Sequence, residues 1–265
     1  MNASTRPLAL VTGASSGIGA DLARELAKDG HDLVLTARRT EPMNKLAEEL
    51  KGHGAKIAVI ASDLSKPGAA ATLVADLDAR GLTIDVLVNN AGLGDNNLFH
   101  EEDQARIGEM LQVNMVALTE LTRLLLPGMV SRRKGGLILV ASTAAFQPGP
   151  FMAVYCATKA YVLSLGDAIG FELKDTGVSV TVLCPGATTT EFSKVANTDT
   201  MMLFKSSMIQ RMTSAAVARQ GYEAFKAKRA VIITGAFNKI AAFTTRLSPR
   251  GMVVRLTGRL LKRTA

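Results

Sequence analysis

The sequence is poor in the groups that carry metal or redox chemistry. Cys156 and Cys184 are its only cysteines, and they show neither metal-ligand nor Cys-x-x-Cys spacing. Two such thiols suit a reducing compartment as free side chains, so a cytoplasmic protein without a metal site is expected. The three histidines, His31, His53 and His100, are scattered and read as ordinary surface or loop residues. No run of about 18 or more uncharged apolar residues occurs, so no membrane span is expected. Residues 1–7 are polar and lead straight into an apolar segment, which leaves no pattern for a secretory signal.

Acidic residues are scarce in one place only. Residues 222–265 hold ten Lys or Arg against the single Glu223, whereas residues 1–221 hold 21 basic and 22 acidic groups. The net charge of +8 therefore belongs to the tail. With no basic excess in the body and no aromatic stacking series in the tail, nucleic acid is not an expected partner.

What the sequence does have is organised around one glycine-rich turn. Thr12-Gly13-Ala14-Ser15-Ser16-Gly17-Ile18-Gly19 follows the apolar run Leu8-Ala9-Leu10-Val11 and opens an amphipathic stretch over residues 20–28. Strand, turn and helix in that order place free helix N–H groups and a partial positive charge at the turn, where phosphate binds. Glycines permit the chain reversal, close backbone approach to a pyrophosphate and close helix–strand packing. The spacing G-x-x-x-G-x-G departs from the common G-x-G-x-x-G, and for the octet alone a turn without a ligand is the competing reading.

Strand and helix signals alternate beyond it. Strands are expected at 31–37, 56–61, 85–88, 136–141, 178–183 and 230–234, with helices at 41–51, 67–80, 103–131 and 152–174. Short continuous apolar strands, each followed by a helix, imply an α/β fold: a doubly wound parallel sheet of about seven strands with helices on both faces. At 265 residues a single domain is expected. Its ligand should lie at the carboxyl ends of the strands.

The second strand ends in Ala37-Arg38-Arg39 with no Asp or Glu. An acidic side chain there would accept an adenosine ribose hydroxyl, while arginine pairs with a 2′-phosphate, so a phosphorylated dinucleotide is favoured over its unphosphorylated form. Two solvated arginines are the alternative. Further on, Tyr155 and Lys159 stand four apart on one expected helix face, and Ser142 ends the preceding strand. Moving a tyrosine pKa from about 10 to about 7 takes roughly 4 kcal/mol. A lysine ammonium about 4 Å away supplies that at an effective dielectric near 20. Tyr155 would then act as general acid or base at a carbonyl oxygen that Ser142 also bonds. Asn114 sits in a helix whose stripe of Met110, Val113, Ala117, Leu118 and Leu121 should face the core, and a buried amide needs partners. It is either a satisfied core side chain or a holder of water and helix backbone near Lys159.

Taken together, residues 12–19, Asp63, Asn89-Asn90-Ala91-Gly92, Asn114, Ser142, Tyr155 with Lys159, and Pro185-Gly186 with Thr190 resemble the short-chain dehydrogenase/reductase family in order and spacing over residues 6–192. The resemblance implies a Rossmann-type, metal-free oxidoreductase that forms a homodimer or homotetramer and moves hydride between nicotinamide and a carbonyl or alcohol. It implies Ser142, Tyr155, Lys159 and Asn114 as catalytic residues. It places Gly13, Ser15, Ser16, Gly17, Ile18 and Gly19 at the pyrophosphate turn, Arg38 and Arg39 at the ribose phosphate, and Asp63 and Leu64 at the adenine. Asn90, Ala91 and Gly92 would line the cleft, Lys159 would also bind the nicotinamide ribose, and Pro185, Gly186, Thr188 and Thr190 would embrace the nicotinamide. Arg38 matches the basic position of NADPH-preferring members, whereas Ser16 stands where some of them carry a second basic residue. NADP(H) is expected ahead of NAD(H).

Residues 93–99, 144–152 and a lid over 190–225 should wall an apolar carbonyl or acyl substrate, the lid contributing Met201, Met202, Leu203, Phe204, Met208 and Met212, for which ordinary core packing by lid helices is the competing reading. A 3-oxoacyl thioester, a steroid-like ketone and an aliphatic ketone all fit. The extension over 236–265 repeats Met252, Val253, Leu256 and Leu260 at helical spacing beside Arg255, Arg259, Lys262 and Arg263. This basic amphipathic helix suits anionic lipid or an acidic acyl carrier, or packs on its own domain. A cofactor-binding scaffold without turnover is the rival from another class, and a sugar-nucleotide epimerase would need a larger substrate region.

Overall fold

The computed structural model describes residues 6–198, 201 and 211–262. Seven parallel strands form one sheet: β1 (Leu8–Thr12), β2 (Asp32–Ala37), β3 (Ile57–Ala61), β4 (Val86–Asn89), β5 (Gly135–Val140), β6 (Val178–Cys184) and β9 (Val231–Ile233). Their spatial order is β3-β2-β1-β4-β5-β6-β9, so the winding reverses between β1 and β4. The crevice beyond the carboxyl ends of those two strands is the ligand position of a doubly wound sheet. Two further strands, β7 (Thr188–Thr189) and β8 (Met212–Thr213), pair as a small parallel ribbon outside it.

Alternation along each strand sends neighbouring side chains to opposite faces. Ala9, Val11, Leu33 and Leu35 pack under α1 (Gly17–Lys28) and α2 (Thr40–Leu50). Leu10, Val34, Leu137 and Leu139 pack on the other side, under α3 (Ala69–Ala79), α4 (Gln104–Leu111), α5 (Leu118–Ser131) and α6 (Ala153–Glu172). α7 (Phe192–Val195) and α8 (Ser214–Lys226) follow, α8 closing the first face beside α1. The ends of these elements lie within three residues of the sequence expectation.

The expected helix over 103–131 is one continuous run whose middle, Gln112–Ala117, widens into a π-helical turn. By length and composition Gln104–Ser131 could cross a membrane, with a mean hydropathy of 1.2 in its most apolar window. Here its Met110, Leu118, Leu121 and Met129 lie in the sheet's core.

Two findings correct the sequence reading. His31 is buried, its Nδ1 3.2 Å from the Leu26 carbonyl oxygen and its ring edge-on to Tyr222. The C-terminal extension is two helices, α9 (Ala236–Leu247) and α10 (Arg250–Leu261), and α10 packs inward through Val253, Thr257 and Leu261, leaving Met252 and Leu256 of the expected stripe exposed. Thr257 fixes this rotation of the helix, donating to the Pro148 carbonyl at 3.0 Å.

Candidate active site

Every candidate site residue except Gly19 and Asn114 lines one cleft of about 600 Å³ at the carboxyl ends of the strands. Its floor is the glycine turn. Gly13 and Gly17 adopt φ of +65° and +57°, in the left-handed region that favours glycine. Ser16 occupies the N-cap of α1 without capping it, so the first-turn N–H groups lack a side-chain partner, and that turn has no acidic residue. These are the requirements of an anion cradle.

Gly19 acts from behind. A Cβ there would collide with the Asn90 amide and the Gly13 carbonyl. The Asn90 Nδ2 uses that space to donate to the Thr12 carbonyl at 2.9 Å and the Gly13 carbonyl at 3.2 Å. Thr12, absent from the expected site set, fastens the same junction. Its Oγ1 donates to the Val88 carbonyl at 3.2 Å and accepts from the Asn90 and Ala91 N–H groups at 3.0 Å each.

At the far end Arg38 is exposed on the rim, and its charge reaches Asp63. Burial pushes the Asp63 carboxyl up, but bonds from Ser65 and the Arg38 charge outweigh it and hold the pKa below its usual value. Thr36 lines the same wall, and its Oγ1 is buried without a hydrogen-bond partner among the described residues. Arg39 also lines the cleft and has a partner of its own. It donates to Glu191 at 2.6 Å, clasping the end of β2 to the loop before α7, so Arg38 is the unclasped arginine of the pair at the rim.

The catalytic candidates meet where β5 and β6 end. Gly166 lets α6 press onto β6, because a Cβ there would collide with Val182, and this contact brings Tyr155 and Lys159 to the cleft. The Lys159 ammonium is buried and donates to the Val140 carbonyl at 2.8 Å. Desolvation lowers its pKa to about 8. Ser142 Oγ accepts from Ala144 N–H at 3.1 Å and donates weakly to Pro185 at 3.4 Å. Desolvation raises the Tyr155 phenol above its ordinary value, with the Ser142 hydrogen bond opposing. The expected lowering of Tyr155 by Lys159 is therefore not found. The ammonium lies 5.8 Å from the ring centroid, tied to a backbone carbonyl, and burial dominates at the phenol.

Asn114 is fully buried, and both its amide oxygen and its amide nitrogen are hydrogen-bonded. Its Oδ1 accepts from Leu93 N–H at 2.8 Å, and its Nδ2 donates to the Leu93 carbonyl at 2.8 Å and Thr158 Oγ1 at 3.0 Å. It sits in the π-helical turn, and its Oδ1 and Lys159 Nζ both border Gly92. Its direct bonds tie the loop after β4 to α6.

The substrate end is walled by Leu93, Ala144, Gln147, Met152, Phe192 and Met201, together with Leu261 from α10, which the sequence reading missed. Asn96 holds that helix end, its Nδ2 donating to the Leu261 carbonyl at 3.0 Å. Leu98 and Phe99, expected in the wall, are instead exposed. Of the lid residues, Met202, Leu203, Phe204 and Met208 lie outside the described residues. On the nicotinamide side expected from sequence, Thr188 Oγ1 donates to the Gly186 carbonyl at 2.9 Å, and Thr190 Oγ1 accepts from Phe192 N–H at 3.3 Å. Both thiols are free and buried, and desolvation pushes each to about 12.

This geometry has relatives. A family model described as short chain dehydrogenase matches residues 7–201. The chain is 37% identical over 186 residues to the ketoacyl reductase HetN of Nostoc sp., a match covering 70% of this chain and 65% of that one, just under two thirds of its length. It is 35% identical over 220 residues to a very-long-chain 3-oxoacyl-CoA reductase-like protein of Arabidopsis thaliana, covering 80% of this chain and 70% of the relative. Among solved structures, a short-chain dehydrogenase from Sphingobium yanoikuyae in complex with NADPH superposes with a TM-score of 0.78 at 31% identity, covering 91% of this chain and 94% of the other. The matched span runs from the glycine turn through the helix bearing Tyr155 and Lys159, and the chain belongs to the short-chain dehydrogenase/reductase family.

Proposed function

We propose that the chain is an NADPH-dependent reductase of an apolar carbonyl or acyl substrate, reversible in principle. The observation that carries this reading is the convergence of Ser142, Tyr155 and Lys159 at one end of a cleft whose other end is the glycine cradle with Arg38 on its rim. When bound, the nicotinamide dinucleotide supplies hydride to the substrate carbonyl carbon.

The chain's own residues bind, orient and hold a proton. A phenol with a raised pKa stays protonated at neutral pH, which is the form Tyr155 needs to protonate a carbonyl oxygen during reduction. Ser142 has a long bond to Pro185 that a substrate oxygen can replace. Lys159 braces β5 against α6 through Val140, and its ammonium would hold the nicotinamide ribose. Asn114 positions this group by tying Leu93 to Thr158.

NADP(H) is favoured over NAD(H) because β2 runs into Arg38-Arg39 and not into an Asp or Glu, and the Sphingobium relative was solved with NADPH. The apolar wall and the two acyl-reductase relatives support a 3-oxoacyl thioester first, with steroid-like and aliphatic ketones behind it. A homodimer or homotetramer would use outward apolar side chains such as Leu111, Leu124 and Phe171 on the long helices. The test is NADPH consumption against a panel of these three carbonyl classes. Turnover of none, with NADPH still tightly bound, would leave only the cofactor-binding scaffold.

A further inference from the structure

The two C-terminal helices carry a face that the described fold leaves uncovered. α9 turns Ala242 inward and α10 turns Val253, Thr257 and Leu261 inward. On the outer side of α9, Phe237, Ile240, Phe243 and Leu247 are 61 to 74% exposed. At 3.6 residues per turn, Ile240, Phe243 and Leu247 fall within about 60° of one another, so they form a ridge. On α10, Met252 and Leu256 are 48% and 56% exposed. Half of the large hydrophobic side chains exposed among the described residues lie on these two helices.

The charge around the ridge has one sign. Residues 236–265 contain seven Lys or Arg and no Asp or Glu. Among the described residues, Lys239, Arg246, Arg250, Arg255, Arg259 and Lys262 form no ion pair. An apolar ridge flanked by unpaired cations matches an interface whose depth is apolar and whose surface is anionic.

We propose that α9 and α10 dock this protein on an anionic membrane surface, the ridge entering the headgroup boundary and the cations meeting lipid phosphates. A second copy is the poorer occupant, because a two-fold contact would set this cationic face against itself. An acidic protein would answer the charge, but side chains standing this far out of a helix suit a boundary they can sink into. The inner side of α10 reaches the substrate cleft through Leu261, so docking sets an apolar cleft beside lipid.

The proposal goes beyond the reductase reading and is tested without turnover, by sedimenting the full chain with vesicles of phosphatidylcholine, with and without phosphatidylglycerol. Binding is expected only to the anionic vesicles and should weaken with salt. Arg246→Gln with Arg250→Gln should weaken it roughly 25-fold, and Phe243→Asp with Leu247→Asp at least as much. Unchanged thermal midpoints would show that both variants are folded. Failure to bind anionic vesicles, equal binding to both kinds, or unaltered binding by the folded variants overturns the proposal. So does a fall in mass by light scattering for the Phe243→Asp, Leu247→Asp variant, which would make the face a subunit contact. Tighter binding to soluble polyglutamate than to the vesicles would make the occupant an acidic polypeptide and also overturn it.

Discussion

The Lys159 ammonium donates to the carbonyl of Val140 at 2.8 Å and lies 5.8 Å from the centre of the Tyr155 ring. Both groups are desolvated, and desolvation moves them in opposite directions, the ammonium down to about 8 and the phenol up. Burial therefore keeps the phenol protonated and lowers the pKa of the ammonium.

That arrangement has a pH signature. An unfolded lysine titrates at 10.5 and the folded Lys159 at about 8, so between those values the unfolded chain binds more protons. The stability of the ligand-free protein relative to its Lys159→Met variant should rise with pH across this window, be complete above 10.5, and be lost as pH falls through about 8. Thermal midpoints of the two proteins from neutral pH upward check it; a constant difference contradicts it.

Arg38 and Arg39 should separate in function although they are neighbours. On the proposed reading Arg38 makes a charge-assisted bond to the ribose phosphate, worth about 1.5–3 kcal/mol, so Arg38→Asp should shift the NADPH-to-NADH affinity ratio by roughly 10- to 100-fold. Arg39→Ala breaks only an exposed pair with Glu191 and should shift it by less than about fivefold. Titration of both cofactors into each variant decides the matter, and an unchanged ratio for Arg38→Asp would remove that residue from the phosphate site.

Much of the architecture was readable because its causes are local. Apolar strand runs, the glycine turn and the four-residue step from Tyr155 to Lys159 each lie within one element and its nearest neighbours. What escaped the reading depends on partners distant in sequence. Arg39 meets Glu191 152 residues away. Leu261 enters the cleft because Asn96 and Pro148 fix the rotation of α10, which helical spacing alone does not. The lowering of Tyr155 was misjudged because proximity to a cation can be read from spacing, whereas burial and the competing Val140 carbonyl cannot. Thr12 is legible only as the first residue of the turn, since the three partners that give it a fastening role all belong to another strand end.

Asn114 should be a structural keystone whose loss reaches the chemistry. Asn114→Leu leaves both backbone groups of Leu93 without their side-chain partner, at about 1–3 kcal/mol for each buried group. Chemical denaturation should show a loss of roughly 2–5 kcal/mol, with turnover falling more than NADPH affinity. Full stability in this variant would contradict the role.

Gly19→Ala should damage the cradle from behind. Its Cβ would strike the Asn90 amide and the Gly13 carbonyl, so the junction of β1 and β4 must shift. Isothermal titration should show at least about a tenfold loss of NADPH affinity, the scale of one displaced charge-assisted bond. Wild-type affinity would mean that the turn does not hold the phosphates.

The decisive experiment compares wild type and Tyr155→Phe side by side, measuring NADPH binding by fluorescence and NADPH oxidation with the best carbonyl substrate of the panel. General acid catalysis by Tyr155 predicts a fall in turnover of about 10²- to 10⁴-fold with NADPH affinity essentially unchanged. A Phe variant that turns over at the wild-type rate would show that the phenol is not the proton donor, and the reductase mechanism built on it would be wrong.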